Sequence, residues 1–469
     1  MNGLVWLRSD LRIDDNPALN IADNECEKIV CLYLLSEKEW KTHNNANVKL
    51  DFIIQNLSNL SKDLKKLNIP LIAASIKNFD SIPNQIAEFS KSNNISKCYW
   101  NNEFGVDEQE RDQKVQNMLE ISQIDYQFFD EQIVFKPGTL LTGQGKPFSV
   151  FTPFKKKWIE NFSIDHLEIE SDISVKKNFN VMNTFNDEIS FVQDHDVDMS
   201  LWPAGELAAK TRLENFLNHK VFNYSKDRND PILDGTSRIS PYLAVGVISN
   251  RRCILEALKL NDFELQAGNK GICKWIDEII WREFYKNIMH SFPRVSMNQP
   301  FNMSTKSIQW RYNEEEIKAW KNGKTGFPLI DAAMLQLKYE GWMHNRLRMV
   351  VAMFFTKNLL HDWRIGEAFF MENLIDGDFA SNNGGWQWSA STGTDAAPYF
   401  RIFNPVTQSQ NFDTEGRFIK KYLPQLASLN DKEIHLPSPE CLYEIDYPSQ
   451  IVDLKSSRLR AIEVFKANK

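Results

Sequence analysis

The stretch D-G-D-F-A-S-N-N-G-G-W-Q-W-S-A-S-T-G-T-D-A-A-P-Y-F-R-I-F-N-P-V-T-Q-S-Q, residues 376–410, is unlike the rest of the chain. Small residues, asparagines, acids and two tryptophans crowd together with almost no aliphatic periodicity. So many small residues let the backbone approach something closely. Trp386 and Trp388 flank one glutamine. On a strand both indoles would share a face, and on a helix they would diverge. Two readings follow from these residues: a tight core loop with two packing tryptophans, or the wall of a pocket for a large planar ligand.

The surrounding chain is 469 residues long. At about 150 residues each, that length suits two or three domains and a sizeable core. Hydrophobic residues make up 42% and charged residues 25%, as in soluble globular proteins. No run approaches the roughly 18 apolar residues of a membrane span, and the first residues lack the basic and apolar regions of a signal peptide. A cytoplasmic location is expected. The six cysteines, at 26, 31, 98, 253, 273 and 441, form no C-x-x-C pair and match no zinc or disulfide framework. They are expected to be reduced and mostly buried. The eight histidines show no ligand spacing, so no metal is expected. A net charge of −7 argues against nucleic acid globally, while leaving room for a local basic cleft.

Residues 1–130 alternate short apolar runs with polar helical stretches. Leu4–Leu7, Ile29–Leu35, Ile69–Ser75, Lys97–Asn101 and Asp125–Asp130 read as buried strands, and Asn47–Leu67 carries a helical apolar stripe. This predicts an α/β domain with a doubly wound, parallel, five-stranded sheet. Neither G-x-G-x-x-G nor G-x-x-x-x-G-K-[ST] is present. A ligand here is expected at the strand carboxyl ends, near Arg8-Ser9-Asp10 or Asn101–Glu108.

Residues 131–200 lose this rhythm and read as an interdomain linker, polar and acidic over 165–200. Residues 201–469 are mostly helical by period. Helices are predicted over Leu207–Phe222, Trp275–Ser291 and Gly341–Leu360. In Asp234–Pro241, hydroxyls and Arg238 precede a helix start, which is either a phosphate cradle or an ordinary N-cap. Trp275, Glu278, Trp281, Arg282 and Tyr285 recur at helical spacings, and Glu278 can pair with Arg282 at i, i+4.

Taken in order, these motifs resemble those of the photolyase/cryptochrome family, and within it those of bacterial class I cyclobutane pyrimidine dimer photolyases. The resemblance is carried by W-L-R-S-D-L-R-I-D-D-N at 6–16, F-T-P-F-K at 151–155 and D-G-T-S-R-I-S-P at 234–241. It continues through W-R-E-F-Y at 281–285, G-K-T-G-F-P-L-I-D-A-A-M at 323–334, G-W-M-H-N-R-L-R-M at 341–349 and the opening stretch. It implies an N-terminal α/β antenna domain over 1–130 and, after the 131–200 linker, an all-helical domain over 201–469 that holds FAD.

The resemblance also implies roles, residue by residue. Tyr224, Thr236, Ser237, Arg238, Ile239 and Ser240 match positions around the FAD phosphates. Trp275, Arg282, Trp342, Asn345, Arg348, Asp376, Gly377 and Asp378 match other FAD-proximal positions, with Arg348 paired to Asp376. Asn382 matches the amide beside the flavin ring nitrogen, whose donor and acceptor ends suit a changing protonation state. Trp386, Trp363 and Trp310 match the family's electron-transfer chain. Trp281 and Trp388 match the indoles that sandwich a flipped-out dimer, and Glu278 the acid that hydrogen-bonds it. Met349 and Asn345 match the dimer pocket, where the related (6-4) enzymes carry histidines. Arg228, Arg282, Arg346 and Gln408 match the DNA-contacting rim.

The implied activity is light-driven repair of thymine dimers in ultraviolet-damaged DNA by a monomer: excitation passes to reduced FAD, one electron enters the dimer, the ring splits and the electron returns. The implied antenna is 5,10-methenyltetrahydrofolate, with 8-hydroxy-5-deazaflavin, FMN or none as alternatives. Glu108 matches its key acid, Asp107 stands where asparagine is usual, and Ser296-Met297 replace a Cys-Lys pair. A cryptochrome-type photoreceptor without repair is the alternative function.

Overall fold

Five parallel strands build the N-terminal third: β1 (Asn2–Leu7), β2 (Lys28–Ser36), β3 (Leu71–Ile76), β4 (Lys97–Asn101) and β5 (Asp125–Phe129). They pair in the order β3-β2-β1-β4-β5. The chain therefore winds one way from β1, returns across it and winds the other way. The computed structural model describes residues 1–169, 172–185, 189 and 194–468, without the side chains of Cys441, Tyr443 and Glu444.

Strand periodicity splits the apolar residues between two faces. Val5, Leu7, Cys31 and Tyr33 join one core, and Leu4, Trp6, Val30 and Leu32 join the other. Helix α1 (Asn47–Lys66) covers the first face with Phe52, Ile53, Leu57, Leu60 and Leu64 buried. Helices Ile82–Ser92 and Val106–Ile121 cover the second. β3 begins later than its apolar run suggests, because Pro70 has no N–H for the ladder and contributes only its carbonyl, which accepts from Cys31 at 2.9 Å. Cys26, Cys31, Cys98 and Cys253 are buried, Cys273 is half-buried and none of these is paired. The Cys441 side chain lies outside the described residues.

The middle segment is more ordered than a linker reading suggests. Helix α2 (Phe151–Asn161) buries Phe154 and Trp158 in the larger core. Glu283 of the helical domain accepts from the Val134 and Phe135 N–H groups at 2.9 and 3.1 Å. Further along, Phe179, Val181 and Phe185 pack back on the sheet. Residues 170–171, 186–188 and 190–193 of the expected linker lie outside the described residues.

The remainder is helical. The Leu207–Phe222 expectation becomes a helix over Glu206–His219 and one tight turn, Val221–Asn223. Helix α3 (Lys270–Ser291) starts earlier than its aromatic cluster, because the Asn269 side chain caps it at Gly271 and Ile272. Gly341–Leu360 is not one helix. Gly341, at φ 62°, ends the Pro328–Glu340 helix. Helix α4 (Asn345–Met353) begins after a His344 cap and runs into a wider turn, Phe354–Asn358. Helices α5 (Trp363–Met371), α6 (Phe379–Ala390) and α7 (Pro405–Phe412) complete the part that concerns the site. α6 packs against α3, α4 and α5.

The two domains are clasped by the first motif of the chain. The Leu11 N–H donates to the Val245 carbonyl at 3.3 Å, and Arg12 Nη1 to the Gly246 carbonyl at 3.0 Å. Arg251 and Arg252 pair with Asp15 and Asp14 at 2.6 and 2.7 Å. Gly246 sits at φ +73°, where a Cβ would lie 1.9 Å from the Ser9 carbonyl oxygen. Among the described residues no helix is long and apolar enough to cross a membrane.

Candidate active site

The 376–410 stretch is largely helical, which separates its two tryptophans. Asp378 starts α6 by accepting from the Ser381 N–H at 2.9 Å. Trp386 turns inward against Phe370, Phe355 and Trp320, with ring centroids 5.1, 6.0 and 6.0 Å away. Its indole lies over Gly366 of α5, where a Cβ would come within 2.1 Å of the ring. Trp363 is one turn earlier on α5 and buried in the same core, and half-buried Trp310 packs at that core's edge against Phe465. Trp388 takes the opposite side of α6 and is half-buried. Gly384, one turn before it, receives the Tyr285 ring of α3, whose Cδ1 would lie 2.2 Å from an added Cβ.

That crossing brings α3 beside Trp388. Trp281 of α3 is half-buried and stacked on Phe151, centroids 3.7 Å apart at 9°. Glu278 pairs with Arg228, and with Lys274 at 3.3 Å. The expected Glu278–Arg282 pair does not form. Arg282 Nη1 instead reaches Asp378 at 3.1 Å, joined by Lys286 Nζ at 3.4 Å. Burial alone would raise the Asp378 pKa, but these two cations hold it far below the usual carboxylate range. Burial, with Arg282 nearby, lowers the Lys286 pKa to about 8. Met349 is half-buried and Asn345 exposed on α4. Arg346 donates to Asn229 at 2.8 Å and lies over Phe412 at 4.3 Å. On α7, Gln408 Oε1 is buried and without a protein partner.

A second polar group lies deeper. Trp275 Nε1 donates to Ser237 Oγ at 3.2 Å, and Trp342 Nε1 to Ser240 Oγ at 3.3 Å. Ser240 Oγ donates to Asp376 at 2.7 Å, and Arg348 Nη2 grips both Asp376 oxygens at 2.8 and 3.0 Å. Thr236 and Ile239 share the loop, in which Arg238 takes φ +48° and pairs with Glu340 at 3.1 Å. Tyr224 is buried under the Arg228 guanidinium. Arg228, Arg238, Arg346 and Arg348 all bear on His344; burial and these charges lower its pKa to about 3. Asn382 Nδ2 donates to the Glu367 carbonyl at 3.0 Å, and burial raises the Glu367 carboxyl to about 7.

A cavity of about 520 Å³ lies between the carboxyl ends of the strands and helices α5 and α6. Arg282, Glu367, Gly377 and Asp378 line one side, and Glu39, His43, Asp107 and Glu108 the other. Ser296 and Met297 line it too. It opens at the β1–β4 switch point of the sheet. His43 Nε2 meets Asp107 at 2.9 Å, and burial raises the Glu108 pKa. Lys49 Nζ bridges the domains by donating to the Gly377 carbonyl at 2.8 Å. Residue reasoning missed Phe151, Lys49, His43, Lys286 and Glu367. Lys286, four residues beyond Arg282, was within reach of the helical period, and Phe151 opens the F-T-P-F-K motif without a role of its own being read from it; for Lys49, His43 and Glu367 no local signal exists.

Known proteins share this fold. A sequence profile described as the FAD binding domain of DNA photolyase matches residues 275–467, and one described as DNA photolyase matches residues 3–172. The chain belongs to the photolyase/cryptochrome family. It is 38% identical to the deoxyribodipyrimidine photo-lyase of Vibrio cholerae over 99% of both chains. The crystal structure of a bacterial class III photolyase from Agrobacterium tumefaciens is similar at TM-score 0.86 and 30% identity, over 100% of this chain and 97% of that one. The structure of a Synechocystis cryptochrome is similar at TM-score 0.89 and 26% identity, over 99% of each. The residues present fit FAD: the Arg238 and Arg348 guanidinium groups, serine hydroxyls, indoles and the Asp376 carboxylate together suit a ligand with a pyrophosphate, hydroxyls and a planar ring.

Proposed function

We propose that the chain is a deoxyribodipyrimidine photo-lyase, repairing cyclobutane pyrimidine dimers in DNA under light. One observation carries this reading. Trp281 and Trp388, both half-buried, stand on helices that close up at Gly384, with the carboxylate of Glu278 one turn from Trp281. Two flat faces and an acceptor suit the two joined bases of the lesion, turned out of the duplex.

FAD, when bound, would supply light absorption and a one-electron donor. The protein's own groups do the rest. Arg348, aimed by Asp376, places positive charge where a reduced, anionic ring is stabilised. Asn382 donates its Nδ2 to the Glu367 carbonyl, which would leave its Oδ1 free to accept from a bound cofactor. Tyr224, Thr236, Ser237, Arg238, Ile239 and Ser240 bind the phosphates. Trp275, Arg282, Trp342, Asn345, Gly377 and Asp378 orient the remainder. Trp386, Trp363 and Trp310 pass electrons inward to refill an oxidised cofactor, a reading supported by the shared core and by the seat of Trp386 one turn from Trp363. Glu278 hydrogen-bonds the dimer, and Met349 and Asn345 complete its pocket. Arg228, Arg282, Arg346 and Gln408 face the DNA backbone. The interdomain cavity holds the antenna, 5,10-methenyltetrahydrofolate, beside Glu108, Asp107 and His43. Denaturing the purified protein and identifying the released chromophore tests that last point, since a deazaflavin or FMN would overturn it.

Photoreduced protein mixed with a thymine-dimer oligonucleotide tests the whole reading. Thymine absorbance returns under blue light and not in the dark. If it fails to return with fully reduced FAD present, the repair reading falls. The likeness to a cryptochrome favours a photoreceptor as the second reading, which predicts light-dependent flavin changes with the dimers left intact.

A further inference from the structure

Trp281 and Phe151 form the closest ring pair among the described residues, 3.7 Å between centroids and 9° from parallel. Phe151 lies far from Trp281 in sequence, at the first position of α2. It is buried, and its ring also touches Phe284 at 5.9 Å. Around the Trp281 indole, Phe284 stands edge-on at 5.6 Å and Tyr285 is tilted at 5.5 Å. One face of the indole is thus covered by a parallel ring, and Phe284 and Tyr285 crowd it as well, while the side chain as a whole stays half-buried.

The segment that carries Phe151 is itself anchored. The Phe151 N–H donates to Asp395 Oδ2 at 3.2 Å, and the Ser149 carbonyl accepts from Thr394 Oγ1 at 2.6 Å. Thr394 and Asp395 belong to the loop that follows α6. That loop is pinned back to α6, the Gly393 N–H donating to the Gln387 carbonyl at 3.1 Å and the Ala397 N–H to the Trp388 carbonyl at 3.2 Å. Hydrogen bonds and one ring stack therefore run from the covered face of Trp281, through 149–151 and 393–397, to the backbone of Trp388.

We infer that Phe151 is a positioning residue for dimer binding: it fixes the plane of Trp281 and, through the 393–397 loop, the gap between Trp281 and Trp388. This rests on the reading of those two indoles as the lesion's stacking partners. A gap set before binding removes an ordering cost that the substrate would otherwise carry. An aromatic stack contributes beyond its area by an amount equivalent to about a threefold to tenfold change in affinity.

The test is a double-mutant cycle on the FAD-loaded protein in the dark. Phe151→Leu, Trp281→Ala and the double variant are titrated with a thymine-dimer oligonucleotide and with its undamaged counterpart. FAD content and melting temperature are read on each. Phe151→Leu is expected to weaken dimer binding by about threefold to tenfold, to spare undamaged DNA and FAD content, and to add little once Trp281 is gone. Phe151→Tyr, which keeps the ring, restores most of the loss. If Phe151→Leu binds dimers as the unaltered protein does while Trp281→Ala does not, Phe151 positions nothing and the lesion reading survives. If the two losses simply add, or dimer affinity falls only in step with FAD content, Phe151 is a packing residue and the inference is overturned. If Trp281→Ala costs no dimer affinity, the underlying reading of Trp281 fails instead.

Discussion

Glu283 lies next to Arg282 on α3 yet serves the scaffold: it is buried and holds the Val134 and Phe135 N–H groups. Burial raises its pKa from 4.5 to about 7. Between those values the folded chain keeps a proton that the unfolded chain has released. Its contribution to stability therefore declines as pH rises through that window. Glu283→Gln removes the titration but keeps one acceptor for two N–H donors, since its NH2 group faces the other. Its urea-melt stability is expected to be lower than that of the unaltered protein and to vary less between about pH 5 and pH 7. At the other edge of the domain, Trp310→Phe tests electron supply. Photoreduction of oxidised protein slows by at least about tenfold, followed by flavin absorbance under blue light, if one hop is lost at a cost of about 1.4 kcal/mol. Repair by chemically prereduced protein stays unchanged, and a loss there counts against the assigned role.

The elements differ in how much of them could be read in advance. The strands and α1 follow from apolar period, with the ends of β1, β2, β3 and β5 displaced by a residue or two; β5, expected to be buried, is an edge strand with no buried residue. The break at Gly341 and the wide turn over Phe354–Asn358 were hidden, because the apolar rhythm continues across both. α6 had no stripe to read: its Gly384 admits the Tyr285 ring of α3, and on another side its Trp386 fits over Gly366 of α5. For the site, motif order brought forward most of the residues that the fold gathers, including Trp281 and Trp388. Helical spacing failed at Arg282, whose partner is Asp378 on another element. It also could not tell chemistry from scaffolding. In G-K-T-G-F-P-L-I-D, Asp331 accepts from the Thr325 and Gly326 N–H groups at 2.8 and 3.1 Å, so that motif holds a turn. The crossing of α3 and α6 is itself testable. Gly384→Val forces the Tyr285 ring aside and is expected to cost about 1–3 kcal/mol in a thermal or urea melt. It also weakens dimer binding in a titration, since it spreads the helices that carry both indoles.

On the scale of the molecule, a net charge of −7 coexists with four arginines gathered around His344. Field at the cleft, not overall charge, governs encounter with a polyanion. Binding to a dimer oligonucleotide is therefore expected to weaken as salt rises. Arg346→Ala lowers the slope of log K against log salt by about one, measured by anisotropy from low to moderate salt. The two faces of α6 have a further consequence for the whole chain. Trp386 belongs to the dry interior and Trp388 to the wet cleft, and only the winding of one helix keeps them apart. Each residue added to or removed from that helix turns everything beyond it by about 100°. Substitutions there can be absorbed one at a time, whereas a single insertion before Trp386 misdirects both indoles together. The stretch is thus free to drift in composition more readily than in length, and gaps in an alignment of relatives should stop at its borders.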